Sequence, residues 1–244
     1  MMATALSLAR THPGKVRAHN EDALLERPAD GFWVVADGMG GHQDGARASR
    51  LVVERLAETS LSGNLDQRLD QVRRVLHDTN RRLTQDLTVL ADGPERLIGT
   101  TVVALLVSAG EAACIWVGDS RAYLWRGNQL YQLTRDHRLL ERLIDVEGLS
   151  PRQAGRHPGA RALTRALGAQ EALALDIVRF ELQTGDRLLL SSDGLHDVLE
   201  ARALGAALSL PSPTLALERL LDGVLQGPAR DNLTAIVIHP QEAA

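Results

Sequence analysis

Three apolar runs in this chain end on an aspartate beside a glycine. FWVVA runs into Asp37-Gly38, ACIWV into Gly118-Asp119, and LLLSS into Asp193-Gly194. Short runs rich in Val, Ile and Leu read as buried strands. A carboxylate at the mouth of a buried strand is unfavourable unless something meets its charge. Two more acidic stretches, Asn20-Glu21-Asp22 and Asp231-Asn232, border the β-like runs 23–26 and 233–238. The dipeptide alone says little, because Asp-Gly occurs six times, at 30, 37, 44, 92, 193 and 222, and is ordinarily a turn. If these carboxylates converge, they repel and resist ionising. Divalent cations remove that penalty, and carboxylate and carbonyl oxygens are the hard ligands that Mg²⁺ and Mn²⁺ take. A glycine after the aspartate leaves its backbone carbonyl open to close approach.

The rest of the pattern comes in blocks. Strands are predicted at 4–9, 23–26 and 32–36, then a helix over 46–57 with Asp44 as its N-cap. Leu65, Leu69, Val72, Leu76, Leu83, Leu87 and Leu90 recur at helical spacing among polar residues, which marks a second, amphipathic helix. Strands follow at 100–107, 112–117, 121–125 and 129–133, the last two joined by the hairpin signal Gly127-Asn128. Residues 136–170 change texture, charged and helical first and then broken by Pro151 and Pro158; this segment reads as an inserted flap. Strands at 174–180 and 187–191, helices at 195–208 and 213–225, and a strand at 233–238 complete the chain. Blocks of strands and helices, not strict alternation, argue for sheets packed on each other with helices outside. Aromatics are only 3% of the 244 residues, so the core must be aliphatic.

Several function classes lose support. A net charge of −4 gives no basic footprint for nucleic acid. The one cysteine, Cys114, cannot form an intrachain disulfide, and six residues separate it from Arg121 where a cysteine-based phosphatase wants five. No His/Cys cluster has zinc spacing, and no glycine-rich nucleotide-binding pattern is present. The N-terminus does not read as a signal peptide, and no apolar run reaches the roughly 18–20 residues of a membrane helix, so a soluble, cytoplasmic protein is expected. Arg17, four residues before Glu21, is the candidate for gripping a phosphate group.

In chain order the motifs are RAHNED (17–22), VVADGMGGH (34–42), GTT (99–101), GDSR (118–121), LTRALG (163–168), LLLSSDGLHD (188–197) and RDNLTAIVI (230–238). Together they resemble the PPM family, the type 2C metal-dependent serine/threonine protein phosphatases, in its bacterial branch, over about residues 4–239. The resemblance implies an α+β fold: a β-sandwich of two antiparallel sheets flanked by helix pairs, four layers in all, forming one catalytic domain over 1–244 with a small flap at 136–168. It implies two Mn²⁺ or Mg²⁺ ions per site and a third, weaker one. Asp37 would bridge the two ions, with the Gly38 carbonyl as a further ligand. Asp193 and Asp231 would hold the first ion and Glu21 the second, with Asp22 in its water shell. Asp119, with Asp193, would serve the third. Arg17 would hold substrate phosphate, and Thr100, Thr101, Ser120 and Asn232 would support. The activity implied is hydrolysis of phosphoserine and phosphothreonine by a water or hydroxide bridging the ions, opposing a bacterial Ser/Thr kinase; a monomer is expected, without nucleic acid or membrane. Where some members carry a histidine after the Asp-Gly pair, this chain has Met39, which cannot transfer protons; His42, three residues on, is a candidate for general acid, hydrogen-bonding support or helix start, with a metal-bound water as the alternative proton donor. Gly227-Pro228-Ala229 replaces a usual glycine pair before the last motif. His137 and His157 are expected to pack or cover surface, and His196 to be a helix-start residue. A small-ester phosphatase and a non-catalytic binding module are the competing readings.

Overall fold

The computed structural model describes residues 5–40, 44–87 and 98–241, with the backbone alone at 86 and 87. Its frame is two sheets. One is assembled from β1 (Ala5–His12), β11 (Leu233–Pro240), β10 (Arg187–Ser191), β7 (Arg121–Arg126) and β8 (Gln129–Gln132), in that spatial order. The other runs β2 (Asp22–Arg27), β3 (Phe32–Met39), β5 (Val102–Ser108), β6 (Glu111–Val117) and β9 (Asp176–Glu181), with the short β4 (Gly99–Thr100) paired to the end of β3. Every pairing is antiparallel.

Period-two alternation sorts the side chains into three apolar layers. Val35, Val103, Leu105 and Cys114 meet Leu188, Leu190, Ile236 and Ile238 between the sheets. The opposite face of the β3–β5–β6 sheet presents Val34, Ala104 and Ile115 to Val52 and Leu56 of α1 (Asp44–Ala57) and Leu69, Val72 and Leu76 of α2 (Leu65–Arg82). The outer face of the other sheet presents Leu189, Ala235 and Val237 to α6 (Ala201–Leu208) and α7 (Pro213–Leu225). The result is the four-layer α-β-β-α sandwich expected from the motifs, with a largely aliphatic core.

Several boundaries differ from the sequence expectation; β1 runs on to His12, and Asp44, expected as the N-cap, is the first described residue of α1 itself. β3 does not stop at Ala36: Asp37 pairs across the ladder with Asp22, and Gly38 with Thr100, so the strand runs on to Met39. The run expected as one strand over 100–107 is interrupted at Thr101, whose backbone N–H donates to the Asp37 carbonyl at 2.8 Å. The helix expected at 195–208 is two, α5 (Asp193–His196) and α6, because Glu200 is extended, with ψ 155°, and starts α6 afresh. The second helix is regular to Arg82 and closes in a π turn over Leu83–Leu87; Leu90 lies outside the described residues.

The flap links β8, an edge of one sheet, to β9, an edge of the other, and carries α3 (Leu139–Asp145) and α4 (Pro151–Ala154). Its base is sewn together by Leu139 N–H to the Ala162 carbonyl at 2.8 Å, Leu140 N–H to Ala160 at 2.9 Å and a bridge between Arg138 and Leu163. No helix among the described residues is long and apolar enough to cross a membrane.

Candidate metal centre

The carboxylates singled out from the sequence meet at one end of the sandwich. Glu21, Asp37, Asp119, Asp193 and Asp231 line one cavity of about 330 Å³, with Arg17, Gly38, Thr101, Arg161 and Asn232. They come from separate parts of the chain: the loop before β2, the end of β3, the turn after β6, the start of α5 and the turn into β11.

Backbone bonding explains why they arrive there. The Asp37 carbonyl accepts from Thr101 N–H at 2.8 Å and from Thr100 Oγ1 at 2.9 Å, while Asp37 N–H donates to Thr101 Oγ1 at 3.1 Å. Ser120 Oγ lies 2.7 Å from Thr101 Oγ1, which extends this support to the Asp119 turn. Gly38 N–H donates to the Glu21 carbonyl at 3.1 Å, and Ser49 Oγ of α1 donates to the same carbonyl at 2.5 Å. Asn232 is a clamp. Its Oδ1 accepts from Glu21 N–H at 2.8 Å, and its Nδ2 donates to the Pro13 and His19 carbonyls at 3.0 and 2.9 Å. Thr100, Thr101 and Asn232 therefore hold backbone, Ser120 braces Thr101, and Glu21, Asp37, Asp119, Asp193 and Asp231 line the cavity.

Asp22 stands apart. It is buried and does not line the cavity. Its Oδ2 accepts from Ser192 Oγ and from Thr234 Oγ1, both at 2.7 Å, and its Oδ1 has no partner. Ser192 and Thr234 went unnoticed in the sequence, and nothing in their local pattern distinguishes them. Arg17 is half-exposed and donates through Nη2 to Asp231 Oδ2 at 2.8 Å. His42 lies outside the described residues. His137 is buried: its Nδ1 accepts from Gly118 N–H at 3.0 Å and its Nε2 lies 3.2 Å from Asp176 Oδ2. His196 is also buried, with Nδ1 2.9 Å from Ser191 Oγ. Both pack. Ala229, in the segment where a glycine pair is usual, takes φ 40°, the left-handed conformation glycine prefers.

The electrostatics match a site made for cations. Burial pushes Asp193 up to about 7, helped by Asp119, Asp197 and Asp231 and opposed by Arg138. Asp22 rises to about 6 through burial, although Thr234 and Ser192 hydrogen bonds oppose the shift. Asp37 lies well above the carboxylate range, first from burial and then from Asp22, Asp193, Asp119 and Asp231. Glu21 is raised by burial and held back by Arg17. Among the described residues, no three Asp, Glu, His or Cys side chains already close on one point. Mg²⁺ needs no such cage, because it keeps several waters and takes one or two carboxylates. An all-oxygen donor set and carboxylates resisting ionisation together fit hard divalent ions.

The site's second unforeseen group is Arg138, at the base of the flap. Its guanidinium is buried and donates from Nε to Asp119 Oδ2 at 2.6 Å. Asp119, expected to be open for a third ion, is thus already paired.

Comparison with known proteins agrees with this geometry. A family model described as protein phosphatase 2C matches residues 15–226. The serine/threonine protein phosphatase PstP of Mycobacterium tuberculosis is 34% identical over 232 residues, covering 94% of this chain and 44% of that protein, so the chain spans a little under half of that relative's length. The structure of PppA, described as a key regulatory component of T6SS in Pseudomonas aeruginosa, superposes with a TM-score of 0.89 at 34% identity, covering 98% of this chain and 99% of that one. The catalytic domain of PstP, solved with two manganese ions, gives a TM-score of 0.85 at 30% identity over 99% of this chain and 100% of that one.

Proposed function

The chain belongs to the protein phosphatase 2C family, and from that membership we propose that it hydrolyses phosphoserine and phosphothreonine in proteins with the help of two Mn²⁺ or Mg²⁺ ions. The observation that carries this is the single cavity lined by Glu21, Asp37, Asp119, Asp193 and Asp231 with an arginine at its side. Asp37, in the middle of the acids, would serve both ions, with the Gly38 carbonyl as a further ligand; Asp193 and Asp231 would hold one ion and Glu21 the other. When bound, the ions supply Lewis-acid charge and make water acidic enough to act as a nucleophile near neutral pH.

The chain's own residues bind, orient and hold. Arg17 presents a planar fork of donors to phosphate oxygens, and its bond to Asp231 aims it across the cavity. Thr100 and Thr101 fix the Asp37 backbone, so that its carboxylate does not swing. Asp22, behind Asp37 in the β2–β3 register, sets the charge on that carboxylate from the buried side. We read the 136–168 flap as part of the same catalytic domain, and a protein Ser/Thr kinase as the opposing partner. The likeness to PppA supports a regulatory setting.

Phosphate release from a phosphothreonine peptide, with Mn²⁺, with Mg²⁺ and with EDTA, tests the reading. The wild type should release phosphate only with metal. Asp37→Ala should lose at least about a thousandfold, ~4 kcal/mol of barrier. A folded protein that is inactive with both metals would return the binding-module reading to the front.

A further inference from the structure

Arg138 is 6% exposed, yet it is surrounded by acids. Nε donates to Asp119 Oδ2 at 2.6 Å, Nη1 and Nη2 donate to the two Asp197 oxygens at 3.1 and 3.3 Å, and Nη2 lies 3.6 Å from Asp193 Oδ2. One guanidinium therefore ties Asp119, Asp193 and Asp197 together from the cavity's inner side. Asp136 stands 3.8 Å away but is spoken for, held by Arg121 through two bonds of 2.8 and 2.7 Å.

Asp119 and Asp193 are the two carboxylates that a third divalent ion would need. An ion between them would displace the 2.6 Å bond at Asp119 and sit beside a permanent positive charge, since a guanidinium does not deprotonate in proteins. Arg138 cannot easily withdraw. Its backbone is bridged to Leu163 and followed by the Leu139–Ala162 bond, so the side chain is delivered from a pinned segment of the flap base. Its flat fork also engages several oxygens at once, which a point charge cannot do.

We propose that Arg138 takes the place of a third metal ion: the protein supplies its own fixed cation between Asp119 and Asp193, and the site holds two divalent ions. The proposal rests on the two-ion reading above. Arg138 is a positioning residue, acting on the cavity through the two carboxylates.

The test counts ions. Bound Mn²⁺ is measured by equilibrium dialysis up to millimolar free metal, for the wild type, Arg138→Ser, Asp119→Asn and the double variant, with circular dichroism to confirm folding. The expected counts are two for the wild type, two for Asp119→Asn, three for Arg138→Ser and two for the double variant. The third ion in Arg138→Ser should bind within the millimolar range of free metal over which the wild type takes up only two. Three ions in the wild type, or two in folded Arg138→Ser, overturn the proposal while leaving the two-ion centre standing. Fewer than two in the wild type overturns both. If Arg138→Ser does not fold, Asp119→Asn decides: an unchanged count of two supports the arginine, and a fall from the wild-type count refutes it.

Discussion

At the scale of single residues, the site depends on close backbone approaches as much as on charge. A methyl group on Gly194 would fall inside the Asn232 carbonyl and also crowd the Asp231 side chain. Gly194→Ala should therefore cost roughly 1–3 kcal/mol of stability, as overpacking does, and should weaken Mn²⁺ binding by moving Asp193 and Asp231 apart. Thermal melts and metal titration of the same variant check the two effects separately. The acids of the site were legible in the sequence because each sits in a short motif whose neighbours are also recognisable. Arg138 was not, because its meaning lies in Asp119, in the turn after β6, and in Asp193 and Asp197 at the two ends of α5, which only the fold brings to it. Ser192 and Thr234 were missed for the same reason: each is an ordinary strand-end hydroxyl until the two strands place both on Asp22.

At the scale of elements, local chemistry was a good guide where one segment settles its own geometry. The Gly127-Asn128 turn joins β7 to β8 with both residues at positive φ, 57° and 64°, as a tight hairpin requires. The start of α2 is equally self-contained. Asn64 Oδ1 accepts from Gln67 N–H, and Gln67 Oε1 accepts from Asn64 N–H, each at 3.0 Å. Asn64→Ala should cost about 1 kcal/mol, which in a chain of this size lowers the melting temperature by roughly 2–4 °C, with little change in activity because α2 lies away from the cavity. Scanning calorimetry gives the value. Local pattern failed where partners elsewhere decide. The stretch 195–208 was expected to be one helix, but α5 is fixed at the cavity by Asp193 while α6 must lie on α7 and the outer sheet face. The chain changes direction at Glu200 between those two demands.

At the scale of the whole molecule, the acid cluster and the buried histidines set the response to pH. Asp193 at about 7 and Asp22 at about 6 are raised above the unfolded value near 3.8, so their stabilising contribution is complete below that value and disappears as pH rises through 6 to 7. His239 is lowered by burial to about 4, so its contribution is complete above the unfolded value of about 6.5 and is lost as pH falls towards 4. Between pH 6.5 and 8 this histidine is neutral in the folded state and loses its last protons in the unfolded one, so its contribution levels off and the carboxylates dominate. In EDTA the melting temperature should fall across that window; with Mn²⁺ present the fall should shrink or vanish, because the ions pair with the ionised acids. Equal slopes with and without metal would contradict the assignment of these acids as ligands. Burial has another outcome at the centre of the sandwich. Cys114 sits between the two sheets, fully enclosed, and its thiol is held protonated by that enclosure. A thiol-modifying reagent can reach it only after the sheets part, so the speed of labelling becomes a built-in clock for the molecule's opening, readable without any engineered probe.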